Sequence, residues 1–303
     1  FFISSSILLI LFIGLIWSID PYDRLGNNLF NFDTKAVAQS RENKYYLFDS
    51  SKKSYEAFIL GSSAAHRYPT EKLKDLTGYE TFNYAVQHST PIDYLAIMKH
   101  ILSKSKPKLI LLQIDFSSIN HFYHIDNRLF NSPLAKYLKN QKPQDKFFDN
   151  SNFTLDALRD SLRVVFVNTF GEARHIYQED GNYRKEKEIT KEVKVRVSLA
   201  KEYKVSEKRI DILYEIKELA KKNKIRLITF TAPLYIKHLN KIFENKTSLK
   251  NHSKFIAEIR KVFPDLINFQ TKEIKEFENK RYFRDSSHPS KVLSEIIIDR
   301  LMK

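Results

Sequence analysis

The chain has 303 residues, 42% of them hydrophobic, enough for one large α/β domain with an insertion or for two domains. It has no cysteine, which excludes disulfides and thiolate chemistry. A formal net charge of +15 favours anionic partners, such as anionic lipid or phosphate-bearing glycopolymer, or else reflects lysines spread over solvated helix faces. No nucleic-acid-binding motif accompanies the charge.

Residues 1–19 carry no charge and are almost entirely apolar. Spanning a bilayer takes about 20 such residues. Trp17 falls where an interfacial aromatic belongs, and Asp20-Pro21-Tyr22-Asp23 ends the run. The expectation is a single-pass N-terminal anchor. Residues 20–55, with Gly26-Asn27-Asn28, read as a stalk.

A strand–helix alternation follows. Glu56 to Leu60 is a short apolar run that ends at Gly61, one of only 6 glycines. Pro69-Thr70-Glu71 opens a helix that Gly78 closes. Thr81 to Val86 reads as a second strand. Thr90-Pro91-Ile92-Asp93 carries an N-cap, a proline in the first turn and an acidic third residue, so a helix should run to about Ser103. Pro107 breaks it, and Leu109 to Ile114 is a continuous apolar run of the buried parallel type, ending in Asp115. Farther on, 209–222 is helical, 225–230 a strand, 246–262 helical and 266–269 a short strand. Pro289 opens a last helix with Val292, Leu293, Ile296, Ile297 and Leu301 at helical spacing.

This order predicts a three-layer α/β/α sandwich with a mostly parallel, roughly five-stranded sheet, formed by 56–120 and 205–303. Residues 121–204 break the alternation. They are aromatic and polar, then highly charged around Arg184-Lys185-Glu186-Lys187-Glu188, and read as a largely helical insertion, either a lid or partner surface or a solvated excursion.

Ligands of such sheets sit beyond the carboxyl ends of the strands. Gly61-Ser62-Ser63 and Asp115 fall at such ends, and Asp285-Ser286-Ser287-His288-Pro289 precedes the final helix. A serine in a strand-end turn can expose its hydroxyl, with its own N–H free for an oxyanion. An Asp three residues before a His can orient the imidazole towards that hydroxyl. Either Ser62 or Ser63 could serve. His66 lies three residues on and reads as a surface histidine. His121 and His124, followed by Asp126, lack a partner motif, so no metal is indicated.

These blocks resemble the SGNH/GDSL hydrolase superfamily, and within it membrane-anchored bacterial members similar to DltD and to cell-envelope polysaccharide O-acyltransferases. The matching stretches are Phe58-Ile59-Leu60-Gly61-Ser62-Ser63, Asn83-Tyr84-Ala85-Val86-Gln87-His88, Leu111-Leu112-Gln113-Ile114-Asp115-Phe116 and Asp285-Ser286-Ser287-His288-Pro289. The resemblance implies Ser63 as nucleophile, His288 as base and Asp285 as its orienter, with Ser62 in place of the usual Asp. It also implies Ser63, His88, Asp115, Ser62 and Asn83 around the oxyanion and substrate. His88 or Gln87 stands near the place of a usual glycine, and Asp115 in that of a usual asparagine. The implied activity is a cofactor-free serine acyltransferase or esterase. It would face the envelope of a bacterium and act on acetyl or D-alanyl groups of a cell-surface glycopolymer, with a membrane O-acyltransferase as partner. The alternative is a non-catalytic glycan-binding or assembly protein of the same fold.

Overall fold

The structure is a computed structural model that describes residues 2–21, 28–32, 40–125, 127–130, 132–138, 153, 155–170, 177–183, 203–271 and 273–303. The glycine of the expected stalk and the charged run at 184–188 lie outside the described residues. The first half of the chain forms helices α1 (Phe2–Ile19) and α2 (Ser40–Asp49), strand β1 (Ala57–Leu60), helix α3 (Thr70–Thr77), strand β2 (Thr81–Asn83), helix α4 (Pro91–Lys104) and strand β3 (Leu109–Ile114). Then come α5 (Leu155–Phe170), α6 (Glu207–Lys222), β4 (Arg226–Thr231), α7 (Ile236–Glu244), α8 (Lys246–Val262) and α9 (Lys291–Leu301).

The chain divides into two compact units, Phe1–Tyr46 with Asn127–Gln178, and Leu47–Asp126 with Glu179–Lys303. In the first unit α1 lies along α5. Ile16 is buried against Ala157, and Ile19 against Val164. These contacts correct the sequence reading of 1–19. The helix has 18 residues, about 27 Å at the usual rise, against a hydrocarbon core of about 30 Å. Among the described residues no helix is long and apolar enough to cross a membrane. Part of the apolar run is instead spent on packing within the unit. The single-pass anchor, and the membrane localisation built on it, are therefore not supported.

The second unit is built on a parallel sheet of four strands in the order β2-β1-β3-β4. The expected fifth strand at 266–269 is reduced to one parallel bridge, Phe230 to Ile267. Two residues earlier Pro264 and Asp265 turn the chain, so little length is left to pair. All of β3 is buried, as expected for a strand covered on both faces. The strand order makes β1-to-β2 and β2-to-β3 run in opposite directions across the sheet. Right-handed crossovers then put α3 on one face and α4 and α6 on the other. The core agrees: Ala57, Ile59, Leu109 and Leu111 pack with Leu73 of α3 and with Leu293, Ile297 and Leu301 of α9.

The direction of the chain reverses at β1, which has β2 on one side and β3 on the other. That switch point is where an open parallel sheet leaves a crevice at its carboxyl edge. Gly61 sits there with φ +157°, and a Cβ on it would lie 2.7 Å from Gln113 Oε1, 2.8 Å from Gln113 Cβ and 2.9 Å from Ala65 Cβ. Gly61→Ala should lower the unfolding free energy by about 2–4 kcal/mol, from overpacking and backbone strain together. Urea denaturation measures this, and an unchanged midpoint would contradict the close packing.

Candidate active site

Beyond Gly61 the chain tightens into a 3-10 turn, Ser63–Ala65, capped by Ser62. The Ser62 hydroxyl accepts from the Ala64 N–H at 3.2 Å, and the Ser62 N–H donates to Gln113 Oε1 at 3.2 Å. Ser62 is thereby buried and tied to the turn, whereas Ser63 faces out. Its Oγ lies 2.8 Å from His288 Nε2. The Ser63 N–H has no acceptor among the described residues. Of the two serines left open by the sequence, the structure brings Ser63 to the histidine.

Asn83 stands elsewhere. It is fully buried, donates to Ala65 O at 2.9 Å and Tyr68 O at 3.1 Å, and accepts from the Ala85 N–H at 3.1 Å. It braces the back of the serine turn against β2 and does not line the crevice. Asn83→Ala removes a partner from each of those three buried backbone groups, of which Ala65 O keeps the Tyr68 N–H at 3.2 Å, so a loss of about 2–4 kcal/mol is expected. Thermal unfolding beside wild type would show it, and a shift within error would mean that water replaces the amide.

The loop before α9 holds the second half of the constellation. Arg284 N–H donates to His288 O at 2.9 Å, and Phe283 bridges to Pro289, which closes the loop on itself. Asp285 Oδ1 accepts from the N–H of Ser287 at 2.9 Å and of His288 at 3.0 Å. The same carboxylate lies 2.9 and 2.8 Å from His288 Nδ1. Nδ1 therefore carries the proton towards Asp285, and Nε2 presents its lone pair to the Ser63 hydroxyl. Burial pushes the Asp285 carboxyl up, but the hydrogen bond and charge of His288 and the two backbone donors outweigh it. The result is a carboxyl held well below its ordinary range. A depressed carboxyl contributes stability above its ordinary pKa, and that contribution is lost as pH falls through the lowered value.

Asp115 and His88 both line the same cavity as Ser63 and His288. Asp115 accepts a short hydrogen bond from Gln113 Nε2. Burial raises its pKa; hydrogen bonds from Ser62 and Gln113 and the charge of His288 and His88 oppose that rise without cancelling it. His88 has φ +52°, the left-handed region that a glycine occupies freely and other residues enter at a cost of about 1–3 kcal/mol. Its Nδ1 meets the Tyr123 hydroxyl at 2.9 Å.

The cavity holds about 450 Å³, room for a small acyl ester and part of its alcohol. Its far end is lined by Leu234, Ile242, Ser248, Asn251 and two histidines that the sequence did not single out. His238 Nδ1 donates to Ser286 O at 3.3 Å, and His252 Nε2 donates to Gln270 Oε1 at 2.8 Å. Burial lowers the pKa of both rings, with those hydrogen bonds opposing. Gln113 had a legible signal, as the one polar residue inside an apolar strand. His238 and His252 had none, because they sit on amphipathic helices where any face residue would do. His66, read as a surface histidine, is buried and stacks on Tyr183 at 6.2 Å. The segment that carries Tyr183 is folded back on the edge of β2, where Asp180 O accepts from the Asn83 N–H at 2.8 Å.

No protein-family model matches the chain, and no curated protein matches it. Among solved structures it is similar to an acetyl xylan esterase, with 14% sequence identity and a TM-score of 0.39, over 80% of this chain and 96% of that one. At that depth nothing of the other protein's activity is carried over to this one.

Proposed function

We propose that this chain is a serine esterase or acyltransferase that acts on an O-acyl group of a carbohydrate. The observation that carries the reading is the unbroken chain from Ser63 Oγ to His288 Nε2 at 2.8 Å and from His288 Nδ1 to Asp285 at 2.8 Å. Ser63 Oγ attacks the acyl carbonyl carbon as its proton passes to His288 Nε2. The tetrahedral oxyanion faces the unengaged Ser63 N–H. His288 then gives the proton to the departing alcohol oxygen, and the carbon–oxygen ester bond breaks to leave the acyl group on Ser63. Water, or a second hydroxyl, attacks that ester with His288 again taking the proton. Ser63 is released with a carboxylic acid in the first case and a new ester in the second. The polar side chains in the lining, among them Ser248, Asn251, His238 and His252, and the resemblance of the four sequence blocks favour a glycan alcohol.

A second reading, glycan binding without turnover, is favoured by one observation, the carboxyl of Asp115 where an oxyanion donor is expected. A fluorophosphonate probe separates the two. Labelling of folded protein at Ser63, located by peptide mass spectrometry and lost in His288→Ala, is the expected result. Folded protein that resists the probe yet binds acetylated xylan would establish the binding reading.

A further inference from the structure

The cavity is rimmed on one side by α7 and α8, which are joined end to end at Asn245. From 236 to 262 this hairpin has seven basic side chains and two acidic ones, a third of the net charge of the whole chain. The placement of the lysines is regular. On α7 the lining residues His238 and Ile242 are four apart, and Lys237 and Lys241 precede each of them by one. On α8 Lys246, Lys250 and Lys254 form an i, i+4, i+8 row beside the lining residues Asn251 and His252. Residues four apart on a helix are neighbours about 6 Å apart along the axis. A lysine row therefore runs alongside each lining row. All five of these lysines are exposed.

Several lysines elsewhere in the same unit have an acidic partner, and among the described residues these five do not. Lys72 pairs with Asp299 at 2.7 Å, Lys99 with Glu215 at 2.8 Å and Lys108 with Glu56 at 2.6 Å. Among the described residues the five hairpin lysines form no ion pair. One of the hairpin's two acids, Glu258, is taken by Lys261 at 2.7 Å. Like charges left unpaired at i, i+4 repel and cost helix stability, so the row is tolerated at a loss. Inside the cavity Asp115 is an acidic lining residue and no lysine among the described residues lines it, so an anionic group is drawn to the rim rather than inward.

We propose that the α7–α8 hairpin docks a polyanionic glycan, a chain with phosphate or carboxylate groups along it, and that it holds this chain across the mouth so that a neutral O-acyl group enters at Ser63. This names the substrate class of the proposed esterase and rests on that reading for the chemistry, though not for the binding.

The test uses the full chain with Ser63→Ala, to prevent turnover, as the parent. Two triple variants are compared, Lys237→Gln/Lys241→Gln/Lys250→Gln on the hairpin and Lys52→Gln/Lys221→Gln/Lys222→Gln on other elements. Both remove the same charge. The probes are O-acetylated polygalacturonate, neutral O-acetylated glucomannan and phosphatidylglycerol vesicles. The parent should bind polygalacturonate, more tightly at low ionic strength. The hairpin variant should bind it about tenfold or more weakly, with the control variant and glucomannan unaffected. Equal weakening in both variants would mean bulk charge only and would overturn the proposal. So would binding to vesicles without polygalacturonate, or no polygalacturonate binding by a parent with wild-type circular dichroism. Hairpin-dependent binding by the parent, together with resistance of Ser63 to fluorophosphonate in the folded wild-type chain, would leave the docking surface standing and remove the esterase reading.

Discussion

Replacing Ser63 with alanine should lower kcat for 4-nitrophenyl acetate by about 10⁴- to 10⁶-fold, and His288→Ala should lower it by a similar factor. The two groups act as one unit, because the hydroxyl is a poor nucleophile until Nε2 takes its proton. The double variant should therefore be no worse than either single one. Asp285→Asn should cost about 10⁴-fold. Its carboxylate is what fixes the proton on Nδ1; an amide can donate there instead and turn the ring to the wrong tautomer. Steady-state rates of the purified variants, with active sites counted by fluorophosphonate titration, check the set. Additive losses in the double variant would show that Ser63 and His288 do not share a proton. Survival of rate in Ser63→Ala would move the nucleophile elsewhere.

Asp115→Asn should have the opposite sign. Once ionised, a carboxylate lining the cavity beside Ser63 opposes an oxyanion that develops there, whereas a side-chain amide would donate to it. One such donor is worth about 10²–10³ in kcat, so a gain of about 10²-fold at mildly alkaline pH is expected. The gain should narrow as pH falls. The pKa of Asp115 is raised by burial, so its neutral, proton-donating form persists above the ordinary carboxylate range. The sign for stability follows from the same shift. A raised carboxyl contributes stability that is fully present below its ordinary pKa and is lost as pH rises through the folded value. Above that folded value the ionised Asp115 is a burden, and there Asp115→Asn should unfold at a higher temperature than wild type. A variant slower at every pH would show that the carboxylate is required, as an acceptor from Gln113 or from the substrate.

Much of this site could be read in the residues before any fold was known. A strand-ending Gly61 in a chain nearly without glycine, the apolar run closed by Asp115, and an Asp and His three apart before a helix are local patterns with local causes. A buried parallel strand has to be apolar on both faces, and a tight strand-end turn has to avoid a Cβ. The strand and helix order at 57–114 was legible for the same reason, as were α6, α8 and α9. Where the reading failed, the residues had two uses that composition does not separate. An apolar run of 18 residues serves a bilayer or a partner helix equally well, and the burial of Ile16 and Ile19 against α5 belongs to the second use. Asn83 lies in one of the matching blocks, and the structure shows its amide bonded to Ala65, Tyr68 and Ala85.

By itself the sequence determined the α/β alternation, the buried strands and the short loops in which Ser62, Ser63, Asp115, Asp285 and His288 lie, because period and turn chemistry act over a few residues. Tertiary structure supplied the 2.8 Å contact of Ser63, rather than Ser62, with His288, which the residues alone had left open and the resemblance had implied, and it alone placed His238 and His252 in the lining of the same cavity. Those are distances between residues up to 225 apart in the chain, and they are set by strand order and crossover hand, which no local pattern encodes.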